Sequence, residues 1–209
     1  MHAVAAGNLV DLDPAVDLGR AERLLDEVLA KDPNRPGAVY NRGLLLKALH
    51  QYDRAIQSFQ RALELNPSFV FGNAHIGHIM SRLGHPREGL ERIQYFMRLG
   101  SKDPATGYGY LFAGEAELDL GHPQAALEWM LRANGYFPGS PLVHAWLTAV
   151  YAMIGDETNS ASHAAAFRRL SPRTAQQIID RPASDPVGDG LWPSRIYEGL
   201  RLALRAPPN

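Results

Sequence analysis

Apolar residues recur at helical spacing in a segment of 34 residues that the rest of the chain repeats. The segment spans residues 36–69 and reads PGAVYNRGLLLKALHQYDRAIQSFQRALELNPSF. Its apolar positions return every three or four residues, as they do in a helix that buries one face. The segment therefore predicts two amphipathic helices that are joined by a tight turn and closed by Pro67.

The repeat is visible as three series of residues, each with gaps of 34 residues and a single gap of 37. Prolines stand at Pro33, Pro67, Pro104, Pro138 and Pro172. Small residues stand at Ala21, Ala55, Gly89, Ala126 and Ser160, and again at Gly43, Gly77, Gly114 and Thr148. The shared longer gap places a three-residue insertion between Leu99 and Gly107. We expect it in a connector, where added chain costs little free energy.

Each series has a physical cause. Small residues are expected where the two helices of a unit cross, because a longer side chain would hold the backbones apart. Proline cannot continue the second helix, since it lacks an amide hydrogen. Gly84, Gly121 and Gly155 are predicted to end first helices in the left-handed conformation. Ala164 takes the place that Phe59 holds in the first full unit, so the last unit should pack differently there.

The repeat divides the chain into a predicted solenoid and a tail. The solenoid, residues 1–174, comprises an incomplete first unit and full units at residues 36–69, 70–103, 107–140 and 141–174. In the incomplete unit, a helix over Val16–Lys31 is expected to bury a face formed by Ala21, Leu24, Leu25, Val28 and Leu29. In the tail, residues 175–209, one or two turns of helix are expected over residues 175–180 and an irregular stretch over residues 181–193. A final helix over Ser194–Leu204 would cap the apolar edge of the last unit.

These features resemble the tetratricopeptide repeat, whose period is 34 residues. The resemblance covers residues 15–174 and implies an all-α fold, a right-handed superhelix of helical hairpins with a C-terminal capping helix. The tail adds a second resemblance through Asp185-Pro186, Tyr197-Glu198-Gly199-Leu200-Arg201 and Pro207. It is similar to the C-terminal halves of bacterial adenylate cyclase-like proteins and winged-helix transcriptional regulators. That resemblance implies the regulatory half of a bacterial signalling or transcription protein.

Composition narrows the functions that the chain can have. Its net charge is −1, so it lacks the basic field that holds a nucleic-acid backbone. There are no cysteines, which excludes disulfides and thiol catalysis. The longest apolar region, residues 141–155, is too short for a membrane span of about 20 residues. The start of the sequence lacks a signal-peptide pattern. These observations predict a cytoplasmic protein that binds neither nucleic acid nor membrane.

A concave binding groove is predicted from one stripe of the first helix in each unit. Its candidate peptide-binding residues are Tyr40, Leu44, Lys47, Phe71, His78, Tyr108, Leu111 and Glu115. The groove is mainly aromatic and aliphatic, which suits an amphipathic helix or an extended apolar peptide. The alternative is that these residues pack within the solenoid or under the tail, because exposed apolar surface is limited in soluble chains.

Enzymatic chemistry finds little support in the sequence. His75 and His78 share a helix face, but no further ligand follows at the spacing of a metalloprotease. Glu115 and Asp119 would oppose Lys47 or Arg82 across the groove, although a solvated charged face is the ordinary interpretation. We therefore predict no catalytic residues, no metal and no cofactor.

The predicted function is a non-enzymatic module that binds a protein or peptide. The alternative is a free-standing scaffold that acts through self-association, as a homodimer for example. A metal-dependent enzyme is the third hypothesis.

Overall fold

The computed structural model describes residues 14–99, 105–180 and 194–205, with side chains for all of these except residues 14–17 and 194–196. Within these ranges the chain forms eleven helices and no strand. They are α1 (Pro14–Lys31), α2 (Pro36–Ala48), α3 (Tyr52–Leu65), α4 (Phe71–Arg82), α5 (Pro86–Leu99), α6 (Thr106–Asp119), α7 (Pro123–Tyr136), α8 (Pro141–Met153), α9 (Glu157–Leu170), α10 (Pro172–Asp180) and α11 (Ser194–Arg205). The all-α class predicted from the sequence is confirmed.

Within each compact unit, pairs of successive helices pack as hairpins. The most extensive contacts join α4 with α5, α2 with α3, and α8 with α9. The chain divides into two compact units, one holding α1 to α6 and the other α7 to α11. The predicted division into a solenoid up to residue 174 and a tail stays a prediction.

Left-handed backbone conformations follow the ends of α2, α4, α6 and α8. Gly84, Gly121 and Gly155 have φ angles of +91°, +82° and +79°, as the sequence predicts. His50 holds the same place after α2 with a φ of +57°. A side chain is strained in this region of conformational space, so His50 carries a strain that the three glycines avoid.

Small residues allow the helices of a hairpin to approach closely, as predicted. A methyl group added at Gly77 would lie 2.5 Å from the carbonyl oxygen of Gly89. A methyl group at Gly43 would lie 2.7 Å from the ring of Phe59. In the last hairpin polar residues hold the equivalent places, and the Ser160 hydroxyl donates to the Thr148 carbonyl at 2.9 Å.

The two helices of a hairpin bury different amounts of surface. The second helices bury one narrow stripe of three residues, spaced four and then three apart. These are Ala55, Phe59 and Ala62 in α3; Gly89, Ile93 and Phe96 in α5; Ala126, Met130 and Ala133 in α7; and Ser160, Ala164 and Phe167 in α9. The first helices α4, α6 and α8 each bury at least eight residues. They therefore carry most of the core.

The C-terminal helix α11 covers the last hairpin, as the sequence predicts. It packs against α8, α9 and α10 and buries Tyr197, Leu200 and Leu204. The Tyr197 hydroxyl donates to the Ile178 carbonyl at 3.3 Å, and the Arg205 guanidinium donates to the Ile179 carbonyl at 2.7 Å.

The first described helix departs from the prediction in two respects. It begins at Pro14 rather than Val16, and Leu24, expected on its buried face, is 53% exposed. Asp185-Pro186 and Pro207, which contribute to the tail resemblance, lie outside the described residues, as do residues 1–13.

Candidate functional site

The candidate groove residues lie on α2, α4 and α6, within the first compact unit. Six of them are half-buried: Tyr40, Leu44, Lys47, Phe71, His78 and Tyr108. Leu111 is 1% exposed and Glu115 is 9% exposed. The first six residues thus keep part of their surface accessible, whereas Leu111 and Glu115 are buried.

The aromatic residues of the candidate groove contact other rings within the first compact unit. The ring of Tyr40 lies 5.5 Å from that of Phe59, between centroids. The centroid of the Phe71 ring lies 5.1 Å from that of Phe96 and 5.9 Å from that of Tyr108. Part of each groove aromatic is therefore used in packing within the unit, which is the alternative that the sequence left open. The remaining part stays accessible on the half-buried side chains.

Lys47 places a cation among these rings. Its Nζ lies 4.4 Å from the centroid of Phe112 and 3.4 Å from Nδ1 of His75. Burial lowers the pKa of Lys47 to about 8, against a smaller opposing effect of the Glu115 charge. Lys47 is therefore mostly charged at neutral pH, in a setting where water stabilises that charge poorly.

His78 and Glu115 form the second polar contact of the site. Nε2 of His78 lies 2.9 Å from Oε2 of Glu115, and the imidazole stacks on Phe112 with centroids 4.3 Å apart. Burial and the nearby Lys47 charge lower the pKa of His78, so the ring is neutral at neutral pH. A neutral ring donates its Nε2 hydrogen to the carboxylate, which leaves Nδ1 as an acceptor.

His75 lies between Lys47 and the aromatic core. Its ring stacks on Phe59 with centroids 4.9 Å apart. Burial lowers its pKa well below the ordinary value, so Nδ1 accepts from the Lys47 ammonium and Nε2 carries the hydrogen. Nε2 of His75 and Nδ1 of His78 are buried and have no hydrogen-bond partner among the described residues.

The acidic residues of α6 behave differently from each other. The sequence favours a solvated face for Glu115 and Asp119, and for Glu115 this expectation is wrong. Its carboxylate is buried because α4 packs against α6 and brings His78 onto it. Asp119 is exposed and accepts a hydrogen bond from the Ser81 hydroxyl at 2.6 Å.

Phe112, which lies at the centre of the site, was not identified from the sequence. This residue contacts the Lys47 ammonium and the rings of Phe71, His75 and His78. Its place in the stripe next to the predicted groove stripe was the available signal. Lys47, His75, His78, Phe112 and Glu115 are called the polar-aromatic cluster below.

The described residues offer neither a metal cluster nor a membrane-spanning helix. Within residues 14–99, 105–180 and 194–205, no group of three or more His, Cys, Asp or Glu side chains is arranged to hold a metal ion. Across the same ranges, none of the helices combines the length and the apolar character needed to cross a bilayer.

Comparison with known proteins agrees on the fold. The tetratricopeptide repeat family model matches residues 38–69. No curated protein matches the sequence. Among solved structures, PilW, described as a widely conserved type IV pilus biogenesis factor, is 19% identical with a TM-score of 0.66, over 79% of this chain and 76% of that chain.

Two further structures are similar. TTC0263, a thermophilic TPR protein of Thermus thermophilus, is 17% identical with a TM-score of 0.66, over 78% of this chain and 89% of that chain. PilF of Pseudomonas aeruginosa is 13% identical with a TM-score of 0.64, over 79% and 74% of the two chains. The chain therefore has the tetratricopeptide-repeat solenoid fold, a scaffold typical of protein–protein interaction.

Proposed function

We propose that this chain is a non-enzymatic interaction module that binds a protein or peptide segment on the face formed by α2, α4 and α6. The bound segment would be an amphipathic helix or an extended peptide with apolar side chains. Tyr40, Phe71 and Tyr108 would contact those side chains, because each is an aromatic residue that is only half-buried.

The observation that carries this proposal is the position of Lys47. Its ammonium lies against Phe112 and beside a neutral histidine, and Glu115, whose charge acts on Lys47, already accepts from His78. A ligand carbonyl or carboxylate oxygen that reached Nζ would add an oxygen acceptor to the long contact of 3.4 Å that the ammonium makes with Nδ1 of His75. Binding would thus combine apolar contact with one strong polar contact.

The experiment begins with peptides selected from a displayed random library on the wild-type protein. Affinity for each peptide is then measured by fluorescence polarisation for wild type, Lys47→Met and Lys31→Met. Methionine keeps the apolar stem of lysine and removes the charge. Lys31 is the matched control, since it is exposed at the end of α1 in the same unit.

We expect Lys47→Met to weaken binding at least tenfold and Lys31→Met to leave it unchanged. Failure to select any peptide, or equal affinity of wild type and Lys47→Met, would contradict the proposal.

The proposal extends to the biological setting. The tail residues that resemble those of bacterial signalling and transcription proteins support a regulatory half, which would be cytoplasmic. Of these residues, Tyr197, Leu200 and Arg201 are buried in the contact of α11 with the last hairpin. The complete reading frame of the gene tests this part: a cyclase or winged-helix segment before the repeats would support it, and a frame that encodes the repeats alone would contradict it.

Self-association is the second candidate function. Leu83, directly after α4, and Tyr95 and Leu99 on α5 are 46%, 47% and 53% exposed. Apolar side chains at this exposure favour contact with another molecule, and a second copy would offer the same residues. Sedimentation at tens of micromolar tests this function. A monomer would exclude it, whereas a dimer lost in Leu99→Ser would support it.

A further inference from the structure

Residues of α3 and α5 line a cleft in the first compact unit. Its volume is about 550 Å³, and its lining consists of Gln60, Leu63, Glu64 and Arg92. All four residues lie on the second helices of their hairpins, whereas the candidate groove lies on the first helices α2, α4 and α6. The cleft is therefore a separate surface, and a role for it goes beyond the proposed function.

Arg92 provides the positive charge of this cleft. The residue is half-buried, and its Nε is buried without a hydrogen-bond partner. Among the residues that the structure describes, none forms a hydrogen bond or an ion pair with its guanidinium. Burial lowers the pKa of Arg92, against a smaller opposing effect of Tyr95, but an arginine stays charged at neutral pH. The cleft thus holds a partly desolvated cation that the described residues leave unpaired.

The carboxylate in the cleft lining is engaged elsewhere. Oε2 of Glu64 lies 3.0 Å from Nη1 of Arg61, one turn earlier on the same helix. Glu64 would repel an anion that bound to Arg92, and the Arg61 charge offsets part of that repulsion. A singly charged carboxylate is disfavoured less by Glu64 than a doubly charged phosphate would be.

The remaining lining suits a carboxylate with apolar neighbours. A guanidinium binds a carboxylate through two parallel N–H···O bonds, and the Gln60 amide offers a further donor. Leu63 adds half-buried apolar surface. Tyr95 and Leu99 follow Arg92 at helical spacing on α5 and are 47% and 53% exposed. Charge and apolar surface are therefore available side by side.

The exposure of the lining indicates the kind of ligand. Gln60 and Glu64 are exposed, and Leu63 and Arg92 are half-buried, so the cleft is open to solvent. Sites for small molecules typically enclose most of the surface of their ligand. A protein segment covers an open cleft with its own neighbouring residues, which favours a protein as the source of the carboxylate.

We propose that the cleft between α3 and α5 binds an acidic side chain of a partner protein, in a segment where the carboxylate stands beside apolar residues. The carboxylate would accept hydrogen bonds from the Arg92 guanidinium. Its apolar neighbours would contact Leu63, Tyr95 and Leu99. Tyr95 and Leu99 also support the second candidate function, so the test includes association of the chain with itself.

The test uses the full chain and a displayed random peptide library. Peptides are depleted on Arg92→Gln and then selected on wild type, which removes those that bind elsewhere, including the candidate groove. Fluorescence polarisation then gives the affinity for wild type, Arg92→Gln and Arg87→Gln. Arg87 is an exposed arginine at the start of α5, outside the cleft lining, and serves as the control. Far-UV circular dichroism verifies that the variants fold.

We expect the selected peptides to carry an acidic residue beside apolar ones and to bind Arg92→Gln about tenfold or more weakly. Arg87→Gln should bind them as wild type does. Exchange of the acidic peptide residue for its amide should weaken binding to wild type but scarcely to Arg92→Gln, because both changes remove the same contact. Glu64→Gln should tighten binding, since it removes a like charge. Failure to select a peptide, or affinity that survives loss of the acidic residue, would overturn the proposal.

Two further measurements test the source of the carboxylate. Glutarate, a small dicarboxylate, is added as a competitor of the selected peptides, and wild type and Arg92→Gln are compared by sedimentation. We expect weak competition and equal sedimentation. Glutarate binding as tight as peptide binding, or a dimer that Arg92→Gln dissociates, would overturn the assignment to a partner protein.

Discussion

The backbones of Gly77 and Gly89 touch where α4 crosses α5. A methyl group at Gly77 would lie 2.5 Å from the Gly89 carbonyl oxygen, and one at Gly89 would lie 2.4 Å from the Gly77 carbonyl oxygen. Because both obstacles are backbone atoms, a rotamer change cannot relieve the overlap. The two helices would have to move apart and lose packing along their whole length.

Gly77→Ala is therefore expected to lower the free energy of unfolding by about 3 kcal/mol or more. Gly135→Ala is the matched control, since Gly135 is exposed in α7 and an added methyl group would meet no described atom within 4 Å. There alanine should stabilise the helix by about 0.5–1 kcal/mol. Urea denaturation followed by circular dichroism measures both changes. Equal effects of the two substitutions would contradict the close crossing.

His50 offers a stabilising substitution. It is a non-glycine residue with a φ of +57°, in a place where the other described hairpin turns have glycine. His50→Gly should raise the free energy of unfolding by about 1 kcal/mol, because it relieves the left-handed strain. The hydrogen bond of 2.9 Å between the His50 ring and the Tyr52 hydroxyl is exposed and contributes little. Thermal denaturation measures the change.

The reverse exchange checks this assignment. Gly84→His places a side chain at a φ of +91° and should lower the melting temperature. If His50→Gly and Gly84→His changed the melting temperature in the same direction, backbone strain would not determine the stability of these turns.

Lys47 should make stability depend on pH in the alkaline range. Its pKa is about 8 in the folded chain, against an ordinary value of 10.5 for a solvated lysine. Between these values the unfolded chain binds more protons than the folded chain, so the free energy of unfolding rises with pH. The pKa difference corresponds to about 3 kcal/mol, which is absent below pH 8 and complete only above pH 10.5. The folded chain thus becomes more stable as Lys47 loses its charge.

Comparison with Lys47→Met isolates this contribution. We expect the variant to be more stable than wild type at about pH 7, with a difference that shrinks between pH 8 and 10.5. Lys31→Met should run parallel to wild type, because Lys31 is exposed. Urea denaturation at a series of pH values provides the measurement, and a constant difference between wild type and Lys47→Met would contradict the buried charge.

The capping helix α11 allows a comparison within a single helix. Leu200 is 0% exposed and Leu202 is 59% exposed. Leu200→Ala removes buried methyl groups and should lower the free energy of unfolding by about 2–5 kcal/mol. Leu202→Ala should change it by less than about 0.5 kcal/mol. Similar losses from the two substitutions, measured by urea denaturation, would show that α11 does not dock through the face that carries Leu200.

The sequence predicts the hairpins well because their geometry depends on local chemistry. Gly84 needs a positive φ, and Gly77 needs space at a helix crossing, so both leave a periodic signal. The surroundings of Glu115 leave none. Helical periodicity shows that Glu115 shares a stripe with Leu111, but it does not show that α4 covers that stripe and brings His78 onto the carboxylate.

The hydrogen bond between the rings of His144 on α8 and His163 on α9 was equally beyond sequence reasoning. His144 and His163 are separated by 19 residues, and no motif relates them. Their meeting depends on the rotation of α8 against α9, which packing sets. The candidate groove residues stand between these cases: the sequence predicts that they share a stripe, but it does not give the burial of each residue.

The docking of α11 on the last hairpin has a consequence for handling the protein. Tyr197, Leu200 and Leu204 cover apolar surface on α8 and α9. In the α2–α3 and α4–α5 hairpins, the helix that follows covers the equivalent surface. Removal of α11, by cutting the chain before Ser194, would expose this apolar surface, and a hairpin of a neighbouring molecule could then pack on it. Such a shortened chain should therefore associate through this surface, which size-exclusion chromatography would detect as a species larger than that of the full chain.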